Sequence, residues 1–159
     1  MSNKEEKLPV FALVLIVLMF IMSIGSLISG ALLFLSPGGK AMGMSTEMLS
    51  GTIFPNFLVP GIVLFIFLGI FPMLVGIGLI HKSDWRWARA LNPFPAHHWT
   101  WTASIAVGII TLFWMIIELS LVGYISLLQP LVLLWGVVFL LLTTVPSVRK
   151  HYHVKKPTD

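Results

Sequence analysis

Four long apolar runs are the feature that most constrains how this chain can fold. The first covers positions 9–35 without a charged residue, and three more follow at about 54–80, 99–121 and 127–145. At 1.5 Å per residue, a helix of about 20 residues crosses the roughly 30 Å of hydrocarbon in a bilayer. The runs have about this length or more, so they predict four transmembrane helices.

Composition points to the same fold class. The 159 residues are 57% hydrophobic and only 10% charged, whereas soluble domains carry about 25% charged residues. Such a chain cannot cover a water-facing surface, and four spans leave no room for a separate soluble domain. We therefore expect an all-α membrane protein with one domain, an antiparallel four-helix transmembrane bundle.

The distribution of charge predicts the orientation of this bundle. Lys and Arg concentrate in cytoplasmic segments next to membrane spans. Nine of the ten lie before the first run, in the 81–98 connection or after the fourth run, and Lys40 is the exception. This places both termini in the cytoplasm, with an interfacial segment at 81–98 and a basic tail at 146–159. The 36–53 connection then lies outside, with a short interfacial helix that Ser45 caps.

Tryptophan and arginine residues cluster in and just after the 81–98 connection. Indole rings favour the head-group level of a bilayer, and guanidinium groups attract anionic head groups. Ser83 or Asp84 is expected to cap a short helix that runs to about Leu91. The residues predicted to lie at the membrane interface are Trp85, Arg86, Trp87, Arg89, Trp99 and Trp101.

Glu118 is the one acid inside a predicted span. A charged side chain at mid-span costs about 2.5–3.5 kcal/mol, so such groups usually face protein or water. Glu118 ends a stripe of small and polar residues spaced three and four apart, which puts them on one helix face. The candidate ligand-binding residues are Glu118, Gln129, Thr111, Tyr124 and, in the outer connection, Glu47.

Two interpretations of Glu118 stay open at this point. The carboxylate could bind a proton or ligand in an outward-open cavity. Alternatively, it lies near the interface, where it is either solvated or bonded to Gln129. Gln129 begins the fourth helix at nearly the same depth, so this bond would fix the hairpin.

Small residues and prolines bear on how the first two helices pack. Small residues that recur along one face of a helix let helix backbones approach closely, and prolines interrupt helices. The residues concerned are Ser23, Ser26, Ser29 and Gly30 on the first helix, and Gly61, Gly69, Gly76, Pro60 and Pro72 on the second.

Two patterns bear on metal binding, and neither predicts a site. Met42, Met44 and Met48 have the spacing of soft Cu(I) ligands, but no Cys or His joins them on that face, and methionine also suits an interfacial helix. The histidines at 81, 97, 98, 151 and 153 are spread over an interface and a flexible tail. We expect no metal, no cofactor and, because the basic residues flank apolar spans, no nucleic-acid partner.

The stretch SPGGKAMGMSTEMLSGTIFPNFLVPGIVLFIFLG at 36–69 resembles a pattern in small bacterial four-span membrane proteins. In these, a Pro/Gly turn and a Leu-rich outer segment precede a helix start of the type P-F-x-x-F/Y-x-V-P-G. DoxX-like proteins are similar in size and span count. The resemblance implies bacterial origin and a place in the cytoplasmic membrane, and it assigns no active residue.

Three functional hypotheses follow. The first is a non-enzymatic accessory protein that binds the lipid bilayer and either a second copy of itself or a partner membrane protein. The second is a small oligomeric transporter that uses Glu118 as a proton- or ligand-binding carboxylate. The third is an outer-face enzyme that modifies lipids, with Glu47 and Glu118 as acid and base. No catalytic motif is present to favour the third.

Overall fold

Helices account for most of residues 7–154, the part of the chain that the computed structural model describes. Lys4, Lys155 and Lys156, which entered the charge argument, lie outside this range. The helices are α1 (Val10–Leu35), α2 (Leu58–His81), α3 (Arg86–Ala90), α4 (Trp99–Val122), α5 (Leu128–Thr144) and α6 (Pro146–His151). Two short 3-10 turns, Lys40–Met42 and Thr46–Leu49, lie between α1 and α2.

Three of these helices, α1, α2 and α4, are long and apolar enough to cross a membrane by length and composition. The fourth apolar helix, α5, has 17 residues and is therefore about 25 Å long. No strand occurs within residues 7–154, where the only β-pairing is an isolated bridge between His97 and His153. Helix α2 begins at Leu58, later than predicted, and Asn56 Oδ1 accepts a hydrogen bond from the Leu58 N–H at 3.0 Å.

Pro72 explains why α2 is not regular throughout. Its ring has no N–H and clashes with the carbonyl four residues earlier. The chain forms π-helical turns over Leu64–Ile70, and the N–H of Phe71 bonds to the carbonyl of Ile66, five residues back. Pro60, also expected to interrupt the helix, lies instead in its first turn, where backbone N–H groups have no partner within the helix.

Glycines set the two closest helix contacts. A Cβ on Gly30 would lie 2.8 Å from the Gly61 carbonyl oxygen, so α1 and α2 touch backbone to backbone. A Cβ on Gly108 would likewise lie 3.2 Å from the Gly136 carbonyl oxygen, between α4 and α5. Gly69 and Gly76 of α2 also face α1. Both pairs are antiparallel. As the residue number rises along one helix, the number of the residue that it contacts on the partner helix falls.

The two helix pairs share one core and give the structure two distinct ends. The core includes Leu15, Met19, Val75, Val107 and Phe139, which come from all four long helices. We call residues 81–98 and 145–154, with the start of α1, the basic end. Residues 36–57 and 123–127 form the methionine-rich end. Of the Lys and Arg side chains in residues 7–154, only Lys40 lies at the methionine-rich end.

Candidate functional site

Glu118 and Gln129 meet where α4 turns into α5. Gln129 is 2% exposed, and its Nε2 donates to Glu118 Oε1 at 3.2 Å and to the Gly123 carbonyl at 3.0 Å. Its Oε1 accepts from the N–H of Ile125 at 2.8 Å. One buried amide therefore joins the acid of α4, the connecting link and the first turn of α5. We call this arrangement, in which Gln129 bonds to Glu118 and to the link at Gly123 and Ile125, the hairpin clasp.

Thr111 does not belong to the same cluster. It is fully buried, and its hydroxyl donates to the Val107 carbonyl at 2.8 Å and lies 3.8 Å from Met22 Sδ. Seven residues separate it from Glu118, which corresponds to about 10 Å along the helix. The Trp114 indole N–H, which lies between the two in the sequence, is buried and has no hydrogen-bond partner among residues 7–154.

Tyr124 and Glu47 are at the same end of the molecule as Glu118, but both are exposed. Tyr124 is 64% exposed. Glu47 lies in the Thr46–Leu49 turn, where Ser45 Oγ accepts from its N–H at 3.2 Å, so the predicted cap is present. Among residues 7–154 no ion pair or hydrogen bond joins Glu47 to Glu118.

The methionines of the outer connection are divided between surface and packing. Met44 and Met48 pack against a small cluster of Leu33, Leu49 and Phe57, while Met42 is 40% exposed. This arrangement fits methionine acting as a flexible apolar side chain.

The residues predicted for the membrane interface fall into two groups. Trp87 is exposed, and its ring forms one cluster with those of Trp85 and Trp99, with centroids 5.0–6.4 Å apart. Trp99 and Trp101 are each only 7% exposed. Their indole N–H groups donate to the carbonyls of Ser83 at 2.7 Å and Thr143 at 2.9 Å. These two rings hold the helices together at the basic end.

The arginines of this region are exposed, and one is paired. Arg89 Nη1 lies 3.0 Å from Asp84 Oδ2 across an exposed surface. Asp84 therefore does not cap α3, which begins at Arg86 without a side-chain cap. Arg86 is exposed at the start of this helix.

The chain after α5 packs onto the basic end, where the sequence predicted a flexible tail. Val148 and Tyr152 are at most 1% exposed, and the Tyr152 hydroxyl donates to the Leu79 carbonyl at 2.8 Å. Backbone bonds run from His98 N to the Tyr152 carbonyl at 2.7 Å and from Val154 N to the Ala96 carbonyl at 2.9 Å. The segment through Val154 is thus part of the fold.

This docking creates a groove that sequence reasoning missed. It has a volume of about 630 Å³, and its lining residues are Ala96, His97, Thr144, Pro146, Arg149, Lys150 and His153. The His97 ring stacks on Trp101 with centroids 4.3 Å apart and meets the His153 ring edge-on at 5.2 Å. Arg149 Nε lies 3.4 Å from His97 Nε2. The only signal in the sequence is the run of basic and aromatic residues at 149–153.

Burial and charge act together on the histidines here. The pKa of His97 is lowered from its ordinary value of 6.5, first by burial and then by the nearby Arg149 and His153. Burial also lowers the pKa of His98, against the opposing effect of Asp84. Within residues 7–154, no three His, Asp or Glu side chains are placed to hold a metal ion.

Comparisons of the chain with known protein families, with curated proteins and with solved structures found no match. The resemblance of residues 36–69 to small DoxX-like membrane proteins therefore stays a prediction. The arrangement of the described residues is the basis for the proposals that follow.

Proposed function

We propose that this chain is a four-span protein of the cell membrane that binds lipid and a membrane partner and does not catalyse a reaction. The observation that carries this proposal is how the buried hydroxyl groups of α4 and α5 are bonded; Ser23 Oγ of α1 is buried without a partner among residues 7–154. Ser104, Thr111 and Thr143 are fully buried, and each hydroxyl donates to a carbonyl four residues earlier in its own helix. Such hydroxyls are already partnered and do not form a polar path between helices.

The Glu118–Gln129 contact supports the same proposal. Gln129 bonds to the connecting link as well as to the acid, which suits a structural clasp at the end of the hairpin. A transporter that uses Glu118 as a carrier group would need that carboxylate to exchange partners during each cycle. We therefore favour the accessory role and keep the transporter as the alternative to be tested.

Orientation follows from the basic end. Lys82, Arg86, Arg89, Arg149 and Lys150 lie there, beyond the ends of the long helices. Because short basic segments stay in the cytoplasm, we place the basic end and both termini inside. The methionine-rich end then faces outward.

Orientation can be tested cleanly because the chain contains no cysteine. Ser50→Cys and Ser147→Cys put one thiol at each end, and both positions are exposed. A membrane-impermeant maleimide applied to intact cells should label Ser50→Cys, whereas Ser147→Cys should react only after permeabilisation. The reverse pattern, or labelling of both in intact cells, contradicts the proposed topology.

The accessory role is tested with Glu118→Gln, which keeps an oxygen acceptor for Gln129. We expect proton-linked flux in liposomes to match that of the wild type, and the same lipids and partner proteins to co-purify. Glu47→Gln is the matched control, because it removes an exposed acid at the same end. Loss of a wild-type flux in Glu118→Gln alone would favour the transporter.

A further inference from the structure

The groove at the basic end is lined on its polar sides by cations and hydrogen-bond donors. Arg149 and Lys150 come from α6, His153 follows that helix, and His97 comes from the segment before α4. No acid of the described part of the chain lines the groove. Within residues 7–154 the one salt bridge joins Asp84 and Arg89, neither of which lines it. The groove thus concentrates positive charge, which favours an anion.

The hydrogen bond of the His97 ring shows which of its two nitrogens carries the proton. It is 7% exposed, and its Nε2 accepts from Arg149 Nε at 3.4 Å. A neutral imidazole that accepts at Nε2 carries its proton on Nδ1. That Nδ1 is buried and has no hydrogen-bond partner among residues 7–154. A buried donor without an acceptor is unfavourable, so the His97 ring, which lines the groove, is left with one unsatisfied donor.

The groove is also held in shape before any ligand arrives. The bridge between His97 and His153 and the bond from Val154 N to the Ala96 carbonyl fix the two backbone segments that carry the histidines. Trp101, whose indole N–H bonds to the Thr143 carbonyl, supports the His97 ring from below. Binding would therefore order few groups beyond the Arg149 and Lys150 side chains, which favours affinity.

We propose that this groove binds a phosphate group, with Arg149 and Lys150 as its main charge partners and with His97 and His153 in its lining. Phosphate offers several acceptor oxygens to the Arg149 and Lys150 donors, and arginine matches it with two parallel N–H groups. Two sources supply this chemistry: the phosphomonoester head group of an anionic lipid, or free inorganic phosphate. The lipid source rests on the proposed membrane insertion, because only then does the groove lie at head-group depth.

The first experiment measures both sources on the full chain. Purified protein in zwitterionic detergent is titrated with inorganic phosphate by calorimetry. In parallel, nanodiscs of phosphatidylcholine with and without phosphatidic acid of the same acyl chains are compared by native mass spectrometry. Retention of phosphatidic acid without phosphate binding assigns the lipid source, and the converse assigns free phosphate. Binding of neither overturns the proposal.

A pair of variants tests the location. Arg149→Gln removes the central charge of the groove at an exposed position, and Arg86→Gln removes an equivalent exposed charge elsewhere on the basic end. We expect Arg149→Gln to weaken binding by about tenfold or more, as for loss of a charged hydrogen bond, and Arg86→Gln to change it less than about twofold. Equal losses in the two variants, or no loss in Arg149→Gln, would show that the groove is not the site.

Lys150→Gln gives a second measurement should Arg149→Gln fail to fold. It removes a charge that lines the same groove from an exposed position, and we expect a smaller loss of binding in the same direction. An unchanged affinity in Lys150→Gln also counts against the proposal. The cysteine-labelling test is independent of phosphate, so a failed topology and a failed binding site give different results.

Discussion

Tyr152 donates a hydrogen bond from its buried phenol to the Leu79 carbonyl, at 2.8 Å, across 73 positions of sequence. The last four carbonyls of a helix have no partner within that helix, and Leu79 lies in the last turn of α2. The phenol therefore gives a carbonyl in the last turn of α2 a hydrogen-bond partner. The same bond attaches the segment that follows α5 to α2. Burial raises the pKa of this phenol, so it stays a donor at all physiological pH values.

We predict that Tyr152→Phe destabilises the folded chain modestly. The ring still fills its site, but the Leu79 carbonyl loses its partner, which costs about 1–3 kcal/mol. Tyr152→Ala removes the ring as well and should cost more, about 3–5 kcal/mol. Equilibrium unfolding in mixed detergent measures both, and hydrogen exchange at the His98 and Val154 amides reports release of the tail. Equal stability of Tyr152→Phe and the wild type would show that the bond contributes nothing.

A second prediction concerns the contact between α1 and α2. A Cβ at Gly30 would lie 2.7 Å from the backbone N of Phe65, and backbone cannot give way as a flexible side chain can. Gly30→Ala should force the helices apart and cost about 1–3 kcal/mol. Gly25→Ala is the control, because apart from its chain neighbours and the adjacent backbone of α1 no atom of residues 7–154 lies within 4 Å of the position that its methyl group would take. It should be neutral or slightly stabilising, since alanine favours helix over glycine by up to about 1 kcal/mol.

The same unfolding assay compares the two glycines. If Gly25→Ala destabilised the chain as much as Gly30→Ala, the effect would belong to glycine in general and the close helix crossing would not explain it.

The long helices could be predicted from the sequence because the information for them is local. An apolar stretch such as 9–35 has no other stable arrangement in a membrane than a helix, and α1 occupies nearly the same range. The hydrogen bond between Glu118 and Gln129 could also be predicted, because the two residues flank a short link that brings them to the same depth. The bond is present at 3.2 Å.

The packing of the basic end could not be predicted, because its contacts join distant parts of the chain. Tyr152 and Val148 look like members of a polar tail in the sequence, whereas Tyr152 is held in the fold by bonds to Leu79 and His98, which are distant in the chain. Trp101 looks like an interface anchor for the same reason, since its acceptor is 42 positions away in α5. Periodicity within one helix contains no information about such partners.

A third prediction separates the two members of the clasp. Gln129→Leu leaves the Ile125 N–H and the Gly123 carbonyl without their side-chain partner, which should cost about 2–4 kcal/mol. Glu118→Gln keeps an acceptor and should change stability by less than about 1 kcal/mol. Ser120→Ala, at an exposed position of the same helix, controls for substitution near the link. A larger loss in Glu118→Gln than in Gln129→Leu would show that the acid, and not the amide, organises the hairpin.

The fourth prediction is that the folded chain loses stability in mild acid. Because the pKa values of His97 and His98 are lowered in the folded state, the unfolded chain binds more protons as the pH falls below the ordinary histidine value of 6.5. Stability therefore rises with pH in that window. The contribution is fully present above about pH 6.5 and is lost as the pH falls through the folded pKa values.

Unfolding midpoints between about pH 7.5 and pH 5 measure this effect. His97→Gln should reduce the dependence of the unfolding midpoint on pH. It removes one buried histidine whose protonation, next to Arg149 and His153, destabilises the folded state. His81→Gln, which alters an exposed histidine at the end of α2, is the matched control. An identical profile in the wild type, His97→Gln and a His97→Gln/His98→Gln double variant would show that acid acts on the fold elsewhere.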